Sequence, residues 1–489
     1  MDVRAIAAAA MVATLAACGG SGGTSSVPQP SIPPSLPPSP GSVTTRISTD
    51  TFADSFGQHA TEVEPSAAVH GETIVAAFQI ARQLVSGGSA IGVATSFDGG
   101  ATWSATTLPG VTRVSGGSAD SASDAVAAYD NAHNVWLVAQ IPIVASRVPY
   151  PEVSRSSNAI QWTMPVPVSS GDGSDDKEWI ACDNAAASRY YGHCYVTWDD
   201  DGRNGLIESS TSVDGGITWS PASTSADAAT GIGAQARPLP NGDVVVVSDD
   251  FNEARIFAFT SHDGGATWGA SVPIAAIIDH FQAGNLRSGA LVSSAVDTTG
   301  ALYAVWQDCR FEVGCASDDL LYATSAGGAQ WSAPRRIPLD PVGSGVDHFI
   351  PGLGTDPTGG AHLGLAYYTY ANAACASSCR LAASYASSPD GGATWTAPVA
   401  VGAPMANDWL ARTTEGRMVA DYVATVFAGG RAIAVFADAA ALNGSLLDES
   451  IYASTPSVSM ATAMRRTSTI ERPVPGIRSD HRRRHFKPE

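Results

Sequence analysis

Charged and hydroxyl side chains recur at the beginning of seven apolar segments spread along the chain. The set contains acidic residues, arginines, a lysine, a histidine and a tyrosine. Carboxyl groups can donate or accept protons, a tyrosine can act as a nucleophile, and an arginine can bind an anionic group. Brought together in one cleft, such groups could bind a sugar and cleave its glycosidic bond. The candidates are Glu64, Asp124, Asp176, Lys177, Glu178, Arg237, Arg287, Asp347, His348, Arg417, Asp421 and Tyr422.

A repeated nine-residue box indicates which elements position these residues. Four copies read TSFDGGATW, TSVDGGITW, TSHDGGATW and SSPDGGATW, and their aspartates are Asp98, Asp214, Asp263 and Asp390. Two shorter copies lack the aspartate, and the six box tryptophans lie 49 to 64 residues apart. This period is typical of a four-stranded propeller blade. Because the Gly-Gly pair favours a tight turn and the box recurs, we interpret the boxes as scaffold rather than as catalytic residues.

The apolar segments predict an all-β chain that forms a β-propeller of seven four-stranded blades. Each segment supplies an inner strand and an apolar second strand, one unit more than the number of boxes. The seventh segment ends without a box, and residues 44–52 form a strand without a partner. We therefore expect residues 44–52 to pair with residues 451–455, which would close the ring. A six-bladed ring with an appended sheet is the alternative. In either ring the candidate residues would meet at the mouth of the central channel.

The box pattern SxDGGxTW resembles the Asp-box repeats of the sialidase-like β-propeller family, over residues 44–455. The resemblance implies an exo-sialidase-like glycoside hydrolase that binds its substrate's carboxylate through three arginines. It implies Tyr422 as the nucleophile and Asp124 as the acid. The arginines would be Arg237, Arg287 and Arg417.

Three further candidates are chosen for their position at the inner strands. Glu178 and His348 are additional catalytic candidates, and Glu64 is a substrate-binding candidate. The family has an Arg-Ile-Pro motif in the first blade, where this chain has Glu64-Pro65. The only such tripeptide in the chain, residues 336–338, follows the fifth box on a predicted outer strand, away from the channel.

Two other classes of function remain open. A polysaccharide lyase would use His348 or Tyr422 as its base, with Arg287 neutralising a uronate carboxylate. A non-catalytic propeller would bind a carbohydrate or a protein through its aromatic and acidic rim. No cofactor is predicted. Calcium could bind at residues 199–201 or 318–319, but the spacing fits no EF-hand loop, so we interpret these carboxylates as solvated.

The first residues of the chain predict export. Arg4 precedes an apolar run, and Leu-Ala-Ala-Cys at residues 15–18 resembles a bacterial lipobox, which implies a lipid on Cys18 once residues 1–18 are processed. A Gly/Ser/Pro-rich tether over residues 19–43 follows, then the propeller over residues 44–455 and a basic tail over residues 456–489 that we expect to be disordered. The predicted location is the bacterial cell envelope, at the outer membrane or cell surface, with membrane contact only through the lipid.

The other six cysteines form three close pairs along the chain. Because export favours disulfides over metal sites, local bonding is predicted for each pair. The net charge of −19 argues against a nucleic-acid partner. We expect a monomer that binds a glycan or glycoconjugate. The predicted disulfides are Cys182–Cys194, Cys309–Cys315 and Cys375–Cys379.

Overall fold

A computed structural model describes residues 43–170, 174–376 and 378–457 of the chain. The described residues are all-β, apart from short 3-10 helices at Arg113–Ser115, Asp201–Arg203, Val313–Cys315 and Asn407–Trp409. No helix among them is long and apolar enough to cross a membrane. The predicted signal peptide, Cys18, most of the tether and nearly all of the basic tail lie outside the described residues.

The first part of the chain forms β1 (Val43–Arg46) and one eight-stranded antiparallel sheet. This sheet consists of two four-stranded meanders joined only where Gly88 pairs with Ala122. The first meander is β2 (Glu62–His70), β3 (Thr73–Arg82), β4 (Gly88–Ser96) and β5 (Ser104–Thr107). The second is β6 (Ser121–Asp130), β7 (Val135–Ile143), β8 (Glu152–Ser156) and β9 (Val166–Pro167).

The middle of the chain forms three four-stranded sheets, each a meander in chain order. The first is β10 (Asp175–Cys182), β11 (Cys194–Asp200), β12 (Leu206–Ser212) and β13 (Ser223–Thr224). The second is β14 (Gly231–Pro238), β15 (Val244–Asp250), β16 (Arg255–Ser261) and β17 (Val272–Ala276). The third is β18 (Ser293–Val296), β19 (Leu302–Asp308), β20 (Asp319–Ser325) and β21 (Arg335–Arg336).

The last part of the chain forms two larger sheets and a hairpin. A five-stranded sheet contains β22 (Asp347–Thr355), β23 (Leu363–Tyr370), β24 (Arg380–Ser388), β25 (Val399–Ala400) and β26 (Met405–Ala406). The hairpin is β27 (Ala411–Thr413) and β28 (Gly416–Met418). The final strands are β29 (Ala424–Ala428), β30 (Arg431–Ala439) and β31 (Glu449–Thr455).

The two ends of the described chain meet in the final sheet, whose order is β1-β31-β30-β29. Val43 pairs with Thr455, and Arg46 pairs with Tyr452. The predicted pairing is confirmed, but the strand ends at Arg46 instead of reaching residue 52. The chain leaves the sheet soon afterwards because Asp50 accepts hydrogen bonds from the backbone amides of Phe52 and Ala60.

The hydrophobic core lies between successive sheets. Side chains of a strand alternate between its two faces, so a strand with a sheet on each side is apolar throughout. In β3, Ile74 and Phe78 contribute to one cluster, whereas Val75 packs with Trp136 and Val138 of the next meander. Apolar side chains of β3 therefore pack on both faces of its sheet.

The four complete boxes form turns that use their own carboxylates. Asp98 accepts hydrogen bonds from the Thr102 amide at 2.8 Å, the Thr102 hydroxyl at 2.6 Å and the Ser96 hydroxyl at 2.9 Å. The same set recurs at Asp214, Asp263 and Asp390. These hydrogen bonds, led by that from the Thr102 hydroxyl, lower the pKa of Asp98 to about 2.

All three predicted disulfides are present, at Cys182–Cys194, Cys309–Cys315 and Cys375–Cys379. The first joins directly paired residues of β10 and β11. The second closes the connection between β19 and β20, and the third closes the connection between β23 and β24. Two of the three bonds therefore fix connections that follow a second strand.

Five inner strands each contain a β-bulge at the same position. The bulge changes the direction of the side chains there relative to a regular strand. The register shifts at the same place in β2, β6, β10, β14 and β22. A residue with positive φ marks each bulge: Glu64, Asp124, Lys177, Gly233 and Ile350, with φ between 48° and 67°. Bulges of this kind re-aim side chains and are common beside functional sites. Three of the five bulges carry a charged residue.

Candidate functional site

The three charged bulge residues meet around one ammonium group. Lys177 Nζ lies 3.1 Å from Asp124 Oδ1, 3.5 Å from Glu64 Oε1 and 2.5 Å from Asp421 Oδ2. All four residues are buried. Burial opposes a charge on Lys177, but the three carboxylates outweigh it and raise the pKa of the ammonium group well above its usual value. The site therefore holds a permanent cation that joins residues from three inner strands and the segment before β29.

A second cation completes this buried network. Arg287 pairs with Asp421 through Nη2 and lies 3.5 Å from Glu415 through Nε. Burial disfavours an ionised Asp421, yet Arg287 and Lys177 together hold the pKa of its carboxyl far below the usual range. The opposite holds for Glu64, because burial raises its pKa to about 8 in spite of Lys177. One carboxylate is thus fixed as an anion while its neighbour keeps a proton at neutral pH.

Two groups without hydrogen-bond partners face a pocket beside the network. Both oxygens of Glu178 are buried without a partner, and so is the hydroxyl of Tyr422. Burial, then the carboxylate of Asp124, raises the pKa of Glu178 well above its usual value. Burial also raises the pKa of Tyr422, and the neighbouring carboxylates add to this effect. Glu178, Tyr422 and Asp124 all line the pocket, together with Trp179 and Asp421.

The pocket has an aromatic wall with an arginine stacked on it. The ring of Trp179 packs edge-on against Tyr422 at 5.7 Å, and the guanidinium of Arg237 lies 5.4 Å from the Trp179 ring centre. Arg237 donates to the Ser294 hydroxyl at 2.9 Å and to Gln235 Oε1 at 2.7 Å. Among the described residues no carboxylate lies within 4.0 Å of it, and burial alone lowers its pKa to about 10. No described residue therefore neutralises its charge.

Of the residues predicted to be catalytic or substrate-binding, Asp124, Glu178 and Tyr422 line the pocket, whereas Glu64, Arg237, Arg287, His348 and Arg417 do not. Glu64 and Arg287 belong to the network beside it, and Arg237 contacts Trp179. His348 and Arg417 contact other segments. His348 points towards the connection between β19 and β20, where its Nδ1 lies 3.1 Å from the Asp318 carbonyl oxygen. The bulge of β22 falls at Ile350, and Pro351 lines the pocket where His348 was expected. Arg417 belongs to β28, and its Nη1 donates to the Leu410 carbonyl at 2.7 Å. Arg417 lies in the hairpin before the inner strand β29 and is not among the residues that line the pocket.

The structure also adds residues that the sequence did not single out. Arg82, at the end of the apolar strand β3, is buried near the network, and burial lowers its pKa to about 10. Gln79 donates to Glu64 and, at 2.9 Å, to the Ser123 hydroxyl. Gln79 and Arg82 are the polar residues in the second half of the otherwise apolar strand β3, and this sequence feature could have identified them.

The carboxylates considered for calcium are mostly buried, so the interpretation as solvated loop residues is wrong for them. Asp199, Asp200, Asp318 and Asp319 are at most 2% exposed. Asp199 and Asp200 belong to the central strand β11, and Asp319 begins the central strand β20. Asp201 alone is exposed, in the short helix that follows β11.

Comparisons with known proteins find sialidases among the similar structures. The leech intramolecular trans-sialidase has 14% identity and a TM-score of 0.45 over 65% of this chain and 67% of its own. The intramolecular trans-sialidase of Ruminococcus gnavus has 14% identity and a TM-score of 0.43, over 65% and 92%. Trypanosoma rangeli sialidase has 14% identity and a TM-score of 0.45, over 85% of this chain and 60% of its own. No protein-family model and no curated protein matches the chain.

Proposed function

We propose that the protein is a sialidase-like glycoside hydrolase that cleaves a terminal acidic sugar from a glycan. The observation that carries the proposal is that the Glu178 carboxyl and the Tyr422 hydroxyl both lack hydrogen-bond partners. Both line the same pocket as Asp124. Leaving buried polar groups without partners costs stability, so such groups are typical of sites that receive a ligand. Most glycosidases use one protonated and one ionised carboxyl group in the same active site.

The charge states suggest a role for each group. Burial raises the pKa of Glu178 and so favours its protonated form, which can pass the proton to the glycosidic oxygen as the bond to the leaving group breaks. The oxygen of Tyr422 can form the new bond to the anomeric carbon, which is one of the known exceptions to a carboxylate nucleophile. The phenol proton then needs an acceptor, and the carboxylate of Asp124, held by Lys177, is available in the same pocket. Proton donor, nucleophile and proton acceptor are thereby three different residues.

Arg237 lies next to the pocket, stacked on the lining residue Trp179, and we assign it to binding the acidic sugar's carboxylate. Its guanidinium stacks on a wall of the pocket and has no ionic partner among the described residues. Arg287, by contrast, is already paired with Asp421 and Glu415. A guanidinium binds a carboxylate through charge-assisted hydrogen bonds worth about 1.5–3 kcal/mol. We therefore assign substrate binding to Arg237 and a positioning role to Arg287.

The proposal is tested with fluorogenic sialosides and with uronate polymers. Tyr422→Phe should reduce kcat of sialoside cleavage by at least a hundredfold with little change in binding, because it removes only the hydroxyl. Arg237→Gln should mainly raise KM, and Arg237→Lys should restore part of the loss. His348→Gln is the matched control and should keep its activity. If the wild type cleaves neither substrate yet binds a sialylated glycan with Tyr422→Phe unaffected, the protein is a binding module instead.

We also propose that the sheets form a closed propeller of seven blades. Seven units can be counted when β1 is assigned to the final sheet, six of them four-stranded and one, β22 to β26, five-stranded. Their inner strands contact one another in the order β2, β6, β10, β14, β18, β22 and β29, and β29 also contacts β2. A crystal structure would count the blades directly, and six blades with a separate appended sheet would overturn this arrangement.

Export and lipid anchoring through Cys18 are part of the same proposal. Three disulfides support an oxidising location, because such bonds seldom persist in the cytosol. Cys18→Ser should release the protein from the membrane fraction, since the Gly/Ser/Pro tether offers no apolar anchor of its own. Membrane association that survives this substitution would show a different anchor. Light scattering of the released protein should give the mass of a monomer.

A further inference from the structure

Three clusters of acidic and histidine side chains in the described residues bring their ligand atoms within 4.8 Å of one another. Two of them already contain a cation. Arg336 lies 2.7 Å from Asp319 and 2.5 Å from Asp340. In the second cluster, Arg203 lies 2.5 Å from both Asp200 and Glu208. The third cluster is His280, Asp318 and Asp347.

The third cluster lacks such an arginine. Among the described residues, His280 is the only basic group within 4.0 Å of Asp318 or Asp347, at 3.9 Å and 3.0 Å from Nε2. Both carboxylates are 0% exposed. A buried pair of carboxylates needs a compensating cation, and a single imidazole supplies at most one positive charge.

Each carboxylate uses one oxygen for the protein and has the other without a partner. Gln282 donates to Asp318 Oδ2 at 2.8 Å, and the Asp318 amide donates to Asp347 Oδ1 at 2.8 Å. Asp318 Oδ1 and Asp347 Oδ2 are buried without any hydrogen bond. Hydrogen bonds that fix one oxygen and leave the other bare are the usual outer-shell support of metal ligands.

We propose that His280, Asp318 and Asp347 form a binding site for a divalent transition-metal cation, with zinc the best match. Zinc accepts both imidazole nitrogens and carboxylate oxygens as ligands, and a site with three protein ligands keeps a fourth position for water. One ligand atom from each of the three residues lies within 4.8 Å of the other two, so a small shift of the side chains would place them around one zinc ion with bonds of about 2.0–2.1 Å. The imidazole favours zinc or manganese over calcium, which binds oxygen ligands.

The position of the site suggests a structural cation that joins three segments. His280 lies between β17 and β18, Asp318 follows the loop closed by Cys309–Cys315, and Asp347 begins β22. The Cys309 amide also donates to the Ile278 carbonyl at 2.6 Å, which holds two of these segments together. The His280 side chain is 21% exposed, so an ion can reach the site from solvent.

The test measures zinc binding to the whole protein after removal of metals with a chelator. Calorimetry should find one tight site per chain, and zinc should raise the melting temperature. His280→Ala and Asp347→Asn should each weaken binding by at least a hundredfold, and Gln282→Leu by about tenfold. Glu208→Gln, in the cluster that contains Arg203, is the control and should bind zinc like the wild type.

A second measurement does not depend on any variant. Cobalt(II) added to the chelated wild type should give the visible absorption of a tetrahedral site, and zinc should abolish it. If the chelated wild type binds no zinc, the imidazolium of His280 alone balances the two carboxylates and the proposal fails. The proposal also fails if His280→Ala and Asp347→Asn fold and bind zinc as tightly as the wild type.

Discussion

Carboxylates occupy two contrasting settings in this protein. In the box turns, Asp98 and its counterparts are satisfied by amides and hydroxyls of their own loop, and their pKa is lowered. Around the inner strands, Glu64 and Glu178 are buried, and their pKa is raised. The first arrangement occurs four times with the same hydrogen bonds, whereas Glu64 and Glu178 differ from each other, since Glu64 accepts a hydrogen bond from Gln79 and Glu178 has no partner.

The comparison separates scaffold from chemistry on physical grounds. A carboxylate whose oxygens all accept local hydrogen bonds has little capacity left for a ligand. A buried carboxyl without partners, such as Glu178, is costly to the fold and available to a ligand. Stability should therefore depend on both settings, but activity should depend on the inner strands alone.

The largest effect is expected where the buried ion network is broken. Asp421→Ala leaves Lys177 and Arg287 without their shared partner and should cost about 3–5 kcal/mol of unfolding free energy. Denaturant unfolding measures this loss. Asp421→Asn keeps the size of the side chain but removes its charge. Comparing the two variants therefore separates the contribution of charge from that of packing. A loss below about 1 kcal/mol for Asp421→Ala would show that the network contributes little to stability.

The box tryptophans should differ among themselves according to burial. Trp395 is 1% exposed, so Trp395→Ala should cost about 3–5 kcal/mol. Trp103 is only partly buried, and Trp103→Ala should cost clearly less. Thermal or denaturant unfolding of the two variants ranks them. Equal losses would mean that the turn, rather than the packing of the indole, determines the contribution.

The pH dependence of stability should reveal the protonated state of Glu64. Burial raises its pKa from 4.5 to about 8, so the folded protein holds a proton that the unfolded chain releases. This stabilisation is complete below about pH 4.5 and is lost as the pH rises towards 8. Between pH 5 and 8 the wild type should lose on the order of 3 kcal/mol more than Glu64→Gln. Parallel pH profiles for the two proteins would contradict the raised pKa.

The smallest effect is expected in the box turns. Asp214→Ala removes the acceptor of hydrogen bonds donated by the Thr218 amide and by the Ser212 and Thr218 hydroxyls, and should cost about 0.5–1.5 kcal/mol. Catalysis and glycan binding should be unchanged, measured on the same sialosides at a temperature well below unfolding. If Asp214→Ala unfolds at the wild-type temperature but no longer binds the glycan, the boxes contribute to the functional site rather than to the scaffold.

Local chemistry made much of this structure predictable from the sequence. The disulfides follow from short cysteine spacings, and the box turns follow from Asp-Gly-Gly. Asp124, Glu178 and Tyr422 were expected near the channel because they begin inner segments, and they line one pocket. His348 was misplaced because a bulge at Ile350 sets the register of its strand. Bulge positions and the burial of Arg82 depend on neighbouring sheets, which a single sequence does not display.

The pairing of β1 with β31 sets the order in which the fold can be completed. Thr44 hydrogen-bonds to Ser454, a partner 410 positions further along the chain. Contacts of such sequence separation form late, because the loop entropy must be overcome before they contribute. Among the described strands, β1 is therefore synthesised first and pairs last. Until Thr455 has been synthesised, β1 and the outer edge of β30 stay open to strands of other chains.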